Sequence, residues 1–95
     1  MQLSDFLQLL KPLNPDWTLA FKTSKNKIFS LSKVTLTQKD CLFTTGSHEM
    51  TKRKALSLLQ QIHDKNLVIL VQLPQKQEPL PIYGLQIGIG QIFLR

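Results

Sequence analysis

The chain has 95 residues and a mass of 10.9 kDa, and 42% of it is apolar, with 18 leucines and seven isoleucines to build one core. A folded monomer of this mass exposes roughly 5,600 Å², about a third of what its unfolded chain exposes, so neither disulfides nor a metal is needed to hold it. These figures exclude a multidomain enzyme, a wholly disordered chain and a transporter.

Twelve Lys and Arg against six Asp and Glu leave a net charge of +6 and a pI near 9.8. That balance favours polyanions, such as nucleic acid phosphates or an anionic membrane surface, over basic partners. Charged residues are only 19% of the chain, so the surface must rely on its ten glutamines and on Ser and Thr. Cys41 is the one cysteine and can form no internal disulfide, which suits a reducing compartment. The opening MQLSDFLQLL has no basic leader region or small-residue cleavage site. The apolar run from Leu67 to Val71 is far below the ~20 residues of a membrane span. A soluble, cytoplasmic protein without a membrane span is expected.

Leu3, Phe6, Leu7 and Leu10 fall at i, i+3, i+4 and i+7, the stripe of an amphipathic helix. Ser4 or Asp5 can cap its start, and Pro12 ends it before the Asn14-Pro15-Asp16 turn. Such a short helix must dock on something to exist. The period then changes: Trp17, Leu19 and Phe21 alternate with Thr18, Ala20 and Lys22, as in a strand with one buried face. Ser24 to Lys27 is turn-like, and Ile28 to Leu36 resumes the strand pattern. Its apolar parity shifts near Ser32-Lys33, predicting a bulge or a short break. Gln38-Lys39-Asp40 makes another turn, and Cys41 to Thr45 completes an antiparallel meander.

A second helix is predicted from about Thr51 to His63, with Ala55, Leu58, Leu59 and Ile62 as its core stripe and Asp64-Lys65-Asn66 as its stop. Leu67 to Leu73 reads as a central strand buried on both faces. Pro74 to Pro81 is a polar connection. In the last β region, Ile82 to Leu94, parity changes at Gly88-Ile89-Gly90, which marks either a bulge within one long strand or a tight turn between two very short ones; a turn or kink is the favoured reading. The expectation is an α+β domain spanning residues 1–95. It has a single mixed or mainly antiparallel sheet of about five or six strands, with one main helix packed on it and a short N-terminal helix.

The catalytic inventory is thin. The chain has no HExxH, CxxC, Gly-rich phosphate loop or GxSxG. Nucleophilic catalysis would need Cys41 and His48 to converge with an acid, whereas Cys41 beside Leu42 and Phe43 reads as a small core hydrophobe. His63 suits the carboxyl end of the second helix, and a zinc site using His48 and His63 lacks two further ligands. No catalytic residue, cofactor or metal is assigned.

Lys52-Arg53-Lys54 occupy the first turn of the second helix, where cations oppose the dipole at about 0.3–1 kcal/mol each. With Ser47 they form a candidate anion site; the bland alternative is a solvated basic cluster partly offset by Glu49. Lys22, Lys25, Lys27 and Lys33 extend the basic surface along the first hairpin, a backbone-only nucleic acid interface if the two groups converge. Leu80, Ile82 and Tyr83 are a candidate apolar lip, or the seal of the core. The residues favour a non-enzymatic protein–protein interaction or structural module, with self-association through an edge strand as one form of it. Weak, non-specific nucleic acid or phosphate binding is the alternative.

Overall fold

The computed structural model describes all 95 residues. Its elements are α1 (Leu3–Leu10), β1 (Thr18–Lys22), β2 (Ile28–Leu36), β3 (Asp40–Thr45), α2 (Lys52–Leu59), β4 (Val68–Gln72), β5 (Leu80–Pro81), β6 (Leu85–Ile87) and β7 (Gln91–Leu94). The seven strands form one mixed sheet in the order β5-β4-β3-β2-β1-β7-β6. The α+β class is as expected, but the sheet has seven strands where five or six were predicted. The extra strand comes from Leu80–Pro81, which pairs with Val71 and Leu70 inside the segment expected to be a loop. Two pairings are parallel, β1 with β7 and β3 with β4, and the other four are antiparallel.

Chain connectivity forces this sheet to curl. Its outermost strands are β5 and β6, which a flat sheet would hold roughly 29 Å apart at the usual strand spacing. Only Ile82, Tyr83 and Gly84 join them, and four Cα steps reach at most about 14 Å. The sheet is therefore a barrel open along one seam, with residues 82–84 crossing the seam at one end.

Alternation places Leu19, Phe21, Leu31, Cys41, Phe43, Ile69, Val71, Ile92 and Leu94 on the concave face, where all are buried. The parity shift in β2 is a bulge between Leu31 and Lys33 within one strand. Helix α1 fills the concavity: Leu3, Phe6 and Leu10 are fully buried, and the Phe6 ring meets Phe43 edge-on at 5.7 Å. Its first amides are not capped by Ser4 or Asp5. Gln2 is the N-cap and makes no side-chain cap bond; the N–H groups of Leu3 and Ser4 donate to the carbonyls of Leu67 and Lys65.

Helix α2 ends at Leu59, earlier than the predicted His63. The ammonium of Lys65 donates to the carbonyls of Leu59 (3.4 Å), Gln60 (3.1 Å) and Ile62, closing the helix from below. His63 is exposed beyond the helix end, so Lys65 does the capping expected of it. Ala55 and Leu59 are buried as predicted, whereas Leu58 is exposed. The two helices are equal in length and α1 is the more deeply buried, so α2 is not the single main helix. Strand β4 is not central either. Val68 is exposed and Leu70 half-buried, because no layer covers the convex face of the sheet there.

Candidate functional site

Two surfaces gather the residues that composition and spacing single out. One is the seam. Beyond β4 the outermost strand is a composite: Leu80–Pro81 pairs with Leu70 and Val71, and Met1–Gln2 continues the line past Ile69 and Val68. At the junction the Met1 α-amino group donates to the carbonyl of Ile82 (3.3 Å).

Across the seam stands β6, held only by β7. Gly84 and Arg95 exchange backbone hydrogen bonds, and Gly88 donates to Gln91 at the hairpin end. The ladder alternates between such bonded pairs and unbonded ones. Gln86 therefore turns inward to Phe93, while the N–H and C=O of Leu85 and Ile87 point outward along a free edge. The turn at Gly88-Ile89-Gly90 is tight, as predicted, with Gly90 at φ +70°, a backbone region that glycine occupies without strain. Ile87 lies on the concave side yet is 55% exposed, and Ile89 at the tip is fully exposed.

The second surface is a shallow cleft of about 340 Å³ where residues 82–84 cross the seam, lined by Phe21, Lys22, Ser24, Leu80, Pro81, Tyr83 and Arg95. Lys22 and Arg95 supply two cationic side chains, Ser24 and Tyr83 two hydroxyls, and no acidic side chain lines it. The Lys22 ammonium lies over the Phe93 ring, 5.2 Å from its centroid, and the Arg95 guanidinium donates to Gln86 Oε1 at 2.8 Å. Lys25 and Lys27 are exposed in the adjoining turn, where Asn26 takes φ 65°.

The predicted lip divides. Tyr83 is 84% exposed, Leu80 is half-buried, and Ile82 is sealed in the core.

The helix-start group does not face solvent as a whole. Lys52 is buried, and its ammonium donates to the Lys11 carbonyl at the end of α1 (3.1 Å), so it caps a helix rather than facing an anion. Arg53 pairs with Asp16 at 2.8 Å on the surface, and Lys54 is exposed. The amide of Lys54 donates to the Thr51 hydroxyl, an ordinary N-cap. Gly46, next to the candidate Ser47, sits against Ser32 at the β2 bulge, where a Cβ would fall 2.6 Å from Ser32 Oγ. Packing explains that glycine without a phosphate. Ser47 is exposed.

The two basic groups stand apart. Lys52 N donates to the Trp17 carbonyl before β1 begins, while Lys25 and Lys27 follow its far end, roughly 17 Å away at strand rise. Lys33 lies opposite Thr44 on the convex face.

Cys41 and His48 do not form a catalytic pair. Cys41 is fully buried near the start of β3, and His48 is exposed beyond its other end. Burial pushes the Cys41 thiol up to about 11, away from the reactive thiolate. No group of His, Cys, Asp or Glu is placed to hold a metal ion. No helix is long and apolar enough to cross a membrane.

Comparison with protein families, curated proteins and solved structures finds no match. The free β6 edge was missed by sequence reasoning, which identified the turn but had no strand order to place it at a boundary. Its one signal is the uncharged run from Gly84 to Leu94.

Proposed function

We propose that the chain is a non-enzymatic protein-interaction module that takes a partner strand along β6. The observation carrying this reading is the outward N–H and C=O of Leu85 and Ile87 beside the exposed Ile87 and Ile89 side chains. A sheet edge gives affinity through its backbone groups and selectivity through alternate side chains. The test uses a labelled six-residue peptide of alternating Val and Thr as a generic strand. Binding should slow amide exchange at Leu85 and Ile87 and persist at high salt. Ile87→Pro should abolish it, since this removes an outward N–H that the β6–β7 hairpin does not use. A chain whose Leu85 and Ile87 amides are protected neither by the peptide nor by a rise in its own concentration overturns the reading.

A second reading, weak phosphate or nucleic acid binding, is favoured by the cleft that joins Lys22 and Arg95 to the exposed Tyr83. Single strands are held by backbone cations and an aromatic platform together. On this reading, RNA comigrates with the chain at low salt and is released at high salt. Lys22→Glu and Tyr83→Leu each weaken it, while Lys54→Glu at the far end does not. Indifference to RNA at low salt rules it out.

A further inference from the structure

We infer that the strand paired with β6 comes from a second copy of this chain, an inference that rests on the interaction-module reading. The edge is its own complement. In an antiparallel pairing centred on Gln86, Leu85 of one copy faces Ile87 of the other. Both present outward N–H and C=O groups, so each such pair exchanges two hydrogen bonds and the two-fold axis supplies the second pair. This register is completed by the strand residues Leu85 to Ile87 alone. Centring on Ile87 would instead require Ile89 of the turn to serve as a ladder residue.

Charge points to the same occupant at the same place. A chain with net charge +6 repels its copies over most of its surface, yet Gly84 to Leu94 carries no charge. Ile87 lies within the pairing and Ile89 just beyond it, so the two-fold axis puts one such exposed pair at each end, and their burial against the partner adds an apolar contact. The nearest cation is Arg95, held on Gln86 Oε1 at 2.8 Å, so the two-fold axis brings two guanidinium groups towards each other. Screening that repulsion makes the dimer tighter as salt rises, the opposite of a phosphate-mediated complex.

Sedimentation over a wide concentration range at low and high salt tests this. The expected result is a monomer–dimer equilibrium that shifts towards dimer with salt, with amide exchange at Leu85 and Ile87 slowing as concentration rises. Ile87→Pro removes one donor from each copy and should weaken association by roughly tenfold to a hundredfold. Ile87→Lys, which leaves the backbone intact but adds a charge to the edge, should also yield a folded monomer. A chain that stays monomeric at every concentration overturns the inference, as does a dimer that both variants leave intact. The Val-Thr peptide separates the two levels. Protection of the same amides in a monomeric chain overturns only the second copy as occupant, and failure of both overturns the interaction reading with it.

Discussion

At one side of the seam the outermost strand is two residues of β5 continued by Met1–Gln2, with Pro79 and Pro81 in or beside it. At the other side β6 has no proline, no charge and no covering segment, and leaves Ile87 in water. The first edge is built as natural sheets guard against stray pairing: short, proline-marked and covered by another part of the same chain. The second is also short, at three residues, but it lacks the proline and the covering segment. Both edges belong to one sheet in a chain of 95 residues, so the contrast reflects local sequence, not a general shortage of material to cover edges. On the proposed reading, it is this contrast that puts the partner strand at β6 and not at β5.

The guarded edge depends on α1, which continues directly from Met1–Gln2 into the concavity. Phe6→Ala removes a fully buried ring that packs on Phe43, and the loss should be about 3–5 kcal/mol in denaturant unfolding. The amides of Leu3 and Ile69, which tie this segment to β4, should exchange earliest in the variant. A loss below about 1 kcal/mol would mean that α1 is not what holds that edge closed.

Proline sharpens the contrast at β6. Gln86→Pro deletes an N–H facing Phe93 within the hairpin ladder and should cost about 3 kcal/mol or more, whereas Ile87→Pro one residue later should cost under about 1 kcal/mol. Thermal melts of the two variants decide it. Equal losses would mean that the outward orientation of Ile87 is wrong.

Much of this contrast was legible before any coordinates. The Leu3-Phe6-Leu7-Leu10 stripe, the meander, the β2 bulge and the Gly88–Gly90 turn follow from hydrophobic period and its breaks, which are local signals. Strand order is not local. The run Leu67–Leu73 resembles a central strand because its concave-side residues Ile69 and Val71 alternate with Val68 and Leu70, apolar residues on a bare convex face. The lysines misled for a related reason. A cation in a first helical turn opposes its own helix dipole, but Lys52 answers the carboxyl end of a different helix, 41 residues earlier in sequence.

The closed side of the sheet is also its dry side, and Cys41 reports on it from β3, in register with Ile69 of β4 and Leu36 of β2. Its thiol stays protonated in the fold up to about 11, against 9.0 unperturbed. Below pH 9 both folded and unfolded chains hold the proton, and stability is unaffected. As pH rises from 9 to 11 only the unfolded chain ionises, so the fold loses about 3 kcal/mol through this group. Cys41→Ala lacks that loss. The stability gap between wild type and variant should therefore shrink across this window, as read from urea midpoints at each pH. A gap independent of pH would mean that water reaches Cys41 in the fold.

The smallest of these effects concerns how α1, and with it the guarded edge, is held at its far end. Lys52→Met keeps most of the buried stem and removes the ammonium that donates to the Lys11 carbonyl, so it isolates the cap from the packing. The expected loss is about 1–2 kcal/mol, the usual value for a charge-assisted hydrogen bond to a carbonyl at a helix end. Because Lys52 is turned into the protein, the same variant should leave the salt dependence of any RNA binding unchanged, while Lys22→Glu alters it. A Lys52→Met chain with unchanged stability and weakened RNA binding would reverse the assignment, returning that lysine to the surface and the phosphate site to the start of α2.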